Sequence, residues 1–129
     1  MMRMRKQTGF TLIELLIVVA IIGIIAAIAI PNLLNAIDRG KQKRSMADMR
    51  SIGTAVESYS VDVNFYPIST SMASITSIGA TVMGIEPINI KLAPTKDGWG
   101  GLYYYGSDAG GSGSDYTIAT YAKDKSVSA

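Results

Sequence analysis

The chain has 129 residues, a formal net charge of +2, 48% hydrophobic residues and 17% charged residues. That balance is apolar for a soluble domain, and its charge is too small and too mixed to imply nucleic acid. Cysteine and histidine are absent, which excludes disulfides, thiol nucleophiles, Cys/His zinc sites and His-based catalytic triads.

The chain opens on MMRMRKQTG, with Arg3, Arg5 and Lys6, and then turns apolar. From Phe10 to Ile30 the only charge is Glu14. A helix over that stretch spans about 32 Å, close to the roughly 30 Å of a bilayer's hydrocarbon core. A secretory signal peptide has a shorter apolar core and a small-residue cleavage site after it; here Gly9 precedes the run. The reading is a membrane helix behind a short basic leader. Orientation stays open on charge alone, because Arg39, Lys41, Lys43 and Arg44 follow the span and nearly balance the leader. Glu14 is the anomaly. A carboxylate at membrane depth costs roughly 2.5 kcal/mol or more, so it calls for a partner.

Pro31 directly follows the span and is expected to end or kink the helix near Ile30. Beyond it, Leu33, Leu34 and Ile37 are followed by Met49, Ile52, Val56, Tyr59 and Val63, whose spacings of three and four mark one helical face. Gly40, inside the polar DRGKQKRS, is a soft point on this helix. The pattern predicts helix to about Asp62, apolar all round in its first half and amphipathic in its second.

NFYP, residues 64 to 67, stops the helix at Pro67. Residues 69 to 84 are rich in serine and threonine, with Ile75, Ile78 and Val82 at helical spacing, and read as a loop holding one short helix. PTKDGWG is dense in turn formers. GLYYYGS and DYTIATYA have strand composition, and the Gly/Ser segment between them reads as a hairpin loop. The fold class is α+β, a long N-terminal helix packed on a small C-terminal antiparallel sheet. About 65 residues bury too little core alone, so the sheet needs the helix stripe.

KQTGFTLIELLIVVAIIGIIAAIAIPN, residues 6 to 32, resembles the N-terminal signature of bacterial type IV pilins and type II secretion pseudopilins. The resemblance implies a type IV pilin-like fold and four regions. These are a leader 1–9, a transmembrane and filament-core helix 10–30, an amphipathic half 31–63 and a globular region 64–129. It implies cleavage by a prepilin peptidase between Gly9 and Phe10, N-methylation of Phe10, and an assembly role for Glu14 against the new amine of a neighbouring subunit. It also implies a cytoplasmic leader and an inner-membrane protein that becomes periplasmic or extracellular on assembly. The implied partners are further copies of the chain, the peptidase and N-methyltransferase, an inner-membrane platform protein with its assembly ATPase, minor pilins or pseudopilins, and membrane lipid before assembly.

SIGTAVESYSVDVNFYP, KDGWGGLYYYGSD and YTIATYAKD are similar to the major, G-type pseudopilin of type II secretion. The matching positions are Tyr66, Pro67, Asp97, Trp99 and Gly100, expected to be structural together with Pro31. Many G-type members bind calcium in an acidic loop. Calcium wants six to eight oxygen ligands, and here the candidates are Asp108, Asp115 and Asp124, a thin set, so no cofactor is expected. The basic residues at 39 to 44 read as a solvated helix face, with lipid headgroups, acidic neighbours or DNA as alternatives. No catalytic pattern accompanies the serines and threonines, so enzyme activity is not expected. The favoured function is a major pseudopilin that builds a periplasmic pseudopilus for protein export. The alternatives are a pilin of a surface pilus and a membrane-anchored periplasmic binding module.

Overall fold

A computed structural model describes residues 9–69, 71–79, 84–107 and 113–124. One helix, α1, runs over Leu12–Val63. It is followed by β1 (Ala73–Ser74), a short α2 (Ile75–Ile78), β2 (Tyr103–Ser107) and β3 (Tyr116–Thr120). The strands form one antiparallel sheet in the order β1-β2-β3. This is the α+β, pilin-like arrangement that the sequence predicts.

Pro31 lies inside α1, so of the two effects expected of it, an end or a kink, the helix does not end there and continues to Val63, as the apolar pattern predicts. Proline fixes φ near the helical value and removes a single N–H. One turn's hydrogen bonding is weakened, and the flanking residues, helical formers on both sides, hold the rest. The Asn32 amide also donates to the Ile28 carbonyl at 3.2 Å, giving that turn a side-chain bond. Gly40 is likewise crossed without a break.

The chain divides into two compact units at Ile37 and Asp38. In the first, α1 carries apolar side chains on every side, and Leu12, Ile13, Ile24 and Ile28 are each 65% exposed or more. Among the described residues this is the one helix long and apolar enough to cross a membrane.

The second unit has a core. Ile52, Ala55 and Val56 from α1 pack with Ile75, Ile85, Ala93, Tyr103 and Tyr105, and Met49 and Tyr59 flank them. Four of the five stripe residues therefore lie in or against the core, where the spacing of three and four places them. The pleat of β2 turns Tyr103 and Tyr105 the same way, both fully buried. Their hydroxyls are satisfied inside: Tyr105 donates to the Pro67 carbonyl at 2.7 Å and Tyr103 to Asp48 Oδ2 at 3.2 Å. Burial, with Asp48 nearby, pushes the Tyr103 hydroxyl up to about 12.

β2 and β3 occupy the two stretches with strand composition, with Tyr105 opposite Ile118. β1 was not expected. It pairs through Ala73 and Ser74 with Tyr105 and Tyr104, and two residues are too short a run to show a period in the sequence. α2 falls where Ile75 and Ile78 predict a short helix, capped by the Ser74 hydroxyl accepting from the Ser77 amide at 3.1 Å; Val82 lies outside the described residues.

Candidate functional site

Two constellations stand out, one at each unit's start. At the first, α1 begins at Leu12, which makes Thr11 its N-cap and Glu14 the third helical residue. Glu14 Oε2 accepts from the Thr11 backbone N–H at 2.8 Å and from the Thr11 hydroxyl at 2.7 Å. The Glu14 N–H in turn donates to Thr11 Oγ1 at 3.3 Å. This reciprocal pair is a capping box. It satisfies two backbone donors that a helix start leaves open, and it gives the carboxylate the dipole end that favours negative charge. All the hydrogen bonds to the carboxylate use Oε2, so Oε1 accepts nothing among the described residues. Phe10, four residues before Glu14 in the chain, is 89% exposed. Gly9 is exposed as well, and a Cβ there would meet nothing within 4 Å. The T-x-x-E spacing is a legible cap signature in the sequence.

The second constellation surrounds Asp97, 5% exposed. Its Oδ1 accepts from the backbone amides of Trp99 at 2.9 Å and Gly101 at 2.7 Å, and Oδ2 accepts from the Thr120 hydroxyl at 2.6 Å. Burial pushes this carboxyl up. The hydrogen bonds from Thr120, Gly101, Trp99 and Gly100 outweigh it, and the pKa ends below the ordinary 3.8. Gly100 sits at φ +81°, the left-handed region that favours glycine. The Trp99 indole N–H reaches Asp38 Oδ1 on α1 at 3.4 Å, and the Lys123 ammonium meets Asp38 Oδ2 at 2.6 Å. The Lys123 bond is the main cause that holds the Asp38 carboxyl below its usual range, and the same contact raises Lys123. The Ser45 hydroxyl accepts from the Gly98 amide at 2.9 Å and donates to the Lys41 carbonyl at 3.0 Å. A Cβ on Gly98 would stand 2.7 Å from that carbonyl. The turn therefore lies directly on the helix backbone, pinned by one buried carboxylate.

Asp97, Trp99 and Gly100 thus meet in one turn, while Tyr66 and Pro67 sit at the far end of the core, where Tyr105 is anchored. Sequence reasoning missed Asp38, Ser45, Gly98, Thr120 and Lys123, because these contacts join positions more than fifty residues apart or belong to common polar types. Of the calcium candidates, Asp108 lies outside the described residues. Asp115 is exposed and accepts from the adjacent Tyr116 amide at 2.8 Å, and Asp124 is exposed. Among the described residues no three acidic, His or Cys side chains gather to hold a metal ion. The carboxylate with the most convergent partners, Asp97, is held by three N–H and O–H donors.

An apolar helix with a capped acidic start, joined to a sheet that packs on its polar-sided continuation, defines a pilin-like subunit. The prokaryotic N-terminal methylation motif matches residues 4–30, and the type II secretion system (T2SS), protein G family matches residues 32–129. The type II secretion system core protein G of Vibrio cholerae is 37% identical over 111 residues, covering 81% of this chain and 74% of its own length. That of Pseudomonas aeruginosa is 34% identical over 110 residues, covering 81% and 76%. A type IV major fimbrial protein, FimA of Dichelobacter nodosus, is 55% identical over 56 residues, covering 43% of this chain and 36% of its own length. No solved structure matches. The chain belongs to the type II secretion system protein G family.

Proposed function

We propose that this chain is the repeating subunit of a periplasmic pseudopilus that serves protein export. The observation that carries this reading is the protein G match over residues 32–129, because that region holds the sheet and the Asp97 turn rather than the filament signature shared with pilins. The N-terminal methylation motif supports cleavage after Gly9 and methylation of Phe10.

Processing exposes a cationic amine at Phe10. Glu14 has one oxygen tied to Thr11 and the other open, so it can keep its own helix capped and still accept the amine of a neighbouring copy. An unpaired charge among apolar helices is costly, and a matched pair recovers much of that cost. The pair therefore favours one axial register of docking, as buried polar residues do in coiled coils. Before assembly the apolar half of α1 rests in the inner membrane; assembly exchanges lipid for helix contacts. Gly23 and Ala20, Ala26, Ala27 and Ala29 offer surfaces where neighbouring helices approach closely. Leader removal falls to a prepilin peptidase, and a platform protein with its ATPase supplies the motion.

Intact-mass analysis of material sheared from native cells tests the reading. The expected result is a processed chain starting at methylated Phe10 in the membrane and periplasm, absent from the sheared fraction. Its presence there would make it the subunit of a surface pilus, the reading the FimA similarity favours. A chain that keeps residues 1–9 in every fraction would overturn both.

A further inference from the structure

Directly after the apolar half of α1 comes a stretch of concentrated positive charge: Arg39, Lys41, Lys43, Arg44 and Arg50. Arg39, Lys43 and Arg50 are spaced by four and seven residues, so they share one helical face, and all three are exposed. The two acids of this stretch are already engaged. Asp38 takes Lys123 and the Trp99 indole. Asp48 takes the Tyr103 hydroxyl and, at 3.8 Å, Arg44. Among the described residues neither Arg39 nor Lys43 has an ion-pair partner. The cationic face is thus left without its own counter-charge.

We infer that Arg39 and Lys43 bind the anionic phospholipid headgroups of the membrane that α1 crosses. The inference rests on the membrane anchoring proposed above. Leu33, Leu34 and Ile37 are 61%, 57% and 45% exposed, so the apolar surface extends to Ile37. From Leu12 to Ile37 α1 measures about 39 Å, longer than the roughly 30 Å hydrocarbon core. Its last turns therefore enter the headgroup layer, by tilt or by overhang. Arg39 follows two residues later, and Lys43 stands about 9 Å beyond Ile37 along the axis. Both side chains reach phosphates by extending their stems along the helix. Arg50, about 20 Å beyond Ile37, is out of range. Cations on the translocated side oppose the charge bias that orients insertion, and lipid binding gives them a use. Each Lys or Arg at an anionic surface strengthens attraction about fivefold at physiological salt.

The chain contains a single tryptophan, and Trp99 is hydrogen-bonded to Asp38, next to Arg39. It is a built-in reporter at the level of these cations. The test places the processed full-length protein in phosphatidylcholine vesicles containing phosphatidylglycerol. Energy transfer from Trp99 to dansyl-labelled phosphatidylglycerol is compared with transfer to dansyl-labelled phosphatidylcholine. The expected result is a severalfold preference for the anionic probe, reduced by 0.5 M salt. It is lost in Arg39→Gln/Lys43→Gln, retained in Arg50→Gln, and retained in the charge-preserving Arg39→Lys/Lys43→Arg. Circular dichroism of each variant separates loss of charge from loss of fold. Equal transfer to the two probes in the native protein overturns the inference, as does an unchanged preference in the double glutamine variant. If Arg39 and Lys43 instead dock an acidic face of a second copy, crosslinked oligomers in pure phosphatidylcholine would depend on them and the lipid preference would be absent. Filament recovery from cells is scored separately, so a failed lipid test leaves the filament reading standing, and the reverse holds too.

Discussion

Isoleucine behaves in opposite ways in the two units. Ile24, Ile25 and Ile28 in the first are 60% exposed or more, whereas Ile52, Ile75 and Ile85 in the second are buried to 1% or less. Both halves of α1 are helical, and both are rich in aliphatic residues. What differs is where the partner is. Beyond Asp38 the helix presents one apolar stripe, and a sheet from the same chain covers it. Before Ile37 the apolar surface runs all round and is exposed among the described residues; on the proposed function its partners are lipid and other copies. One stretch of the helix is solved by folding and the other by its surroundings. A substitution should therefore register as lost stability in one and lost assembly in the other.

The largest expected effect tests that division at the helix start. Glu14→Ala should leave cleavage after Gly9 intact and abolish filaments, scored by shearing or by microscopy of assembled material. Normal filaments would sink the pairing of Glu14 with a neighbouring amine. In the second unit, Ile52→Ala should lower the stability of the folded domain by about 2–5 kcal/mol, read from chemical denaturation. Ile24→Ala is its counterpart and should leave the same denaturation midpoint unmoved. Equal losses at the two positions would erase the contrast between the units.

The Asp97 turn sharpens the comparison further. Asp97→Ala strands two backbone amides and the Thr120 hydroxyl, at a cost of about 3 kcal/mol, while assembly contacts of the apolar half are untouched. Gly98→Ala forces a methyl group toward the Lys41 carbonyl and should cost about 1–3 kcal/mol. A smaller effect is expected from pH. The Asp97 carboxyl is held below its ordinary value, so its contribution is complete above about pH 4 and is lost as pH falls through the folded-state pKa. Tyr103 has the reverse sign. Its folded pKa lies near 12 against about 10 in the unfolded chain, so the folded state holds the proton longer and stability declines as pH rises from about 10 to 12. Thermal melting across pH 3 to 12 reads both arms; Asp97→Asn should flatten the acid arm, and Tyr103→Phe the alkaline one.

The long apolar helix, its amphipathic continuation and the two long strands were all legible, because each is a local pattern. An unbroken apolar run, a spacing of three and four, and stretches rich in tyrosine, threonine and isoleucine each specify their own element. The capping box of Thr11 and Glu14 is equally local, a T-x-x-E spacing at the helix start. Pro31 shows the limit of a local rule. The proline signal is real, but one missing N–H is outweighed when the residues on both sides favour helix.

Other features had no local signature. β1 exists because Ala73 and Ser74 meet an edge of β2, which is a fact about β2's position rather than about those two residues. The same holds for the buried position of Asp97 and for the clasp around Asp38, Trp99 and Lys123, whose bonds join residues 61 and 85 positions apart. By itself the sequence determined which segments are helix or strand, and that the first half of α1 must find its partners outside the chain, since both follow from the periodicity and quantity of apolar surface. Only the tertiary structure decided which polar groups satisfy one another: a hydrogen bond depends on ångström-scale placement of two distant residues, and no period in the sequence encodes it.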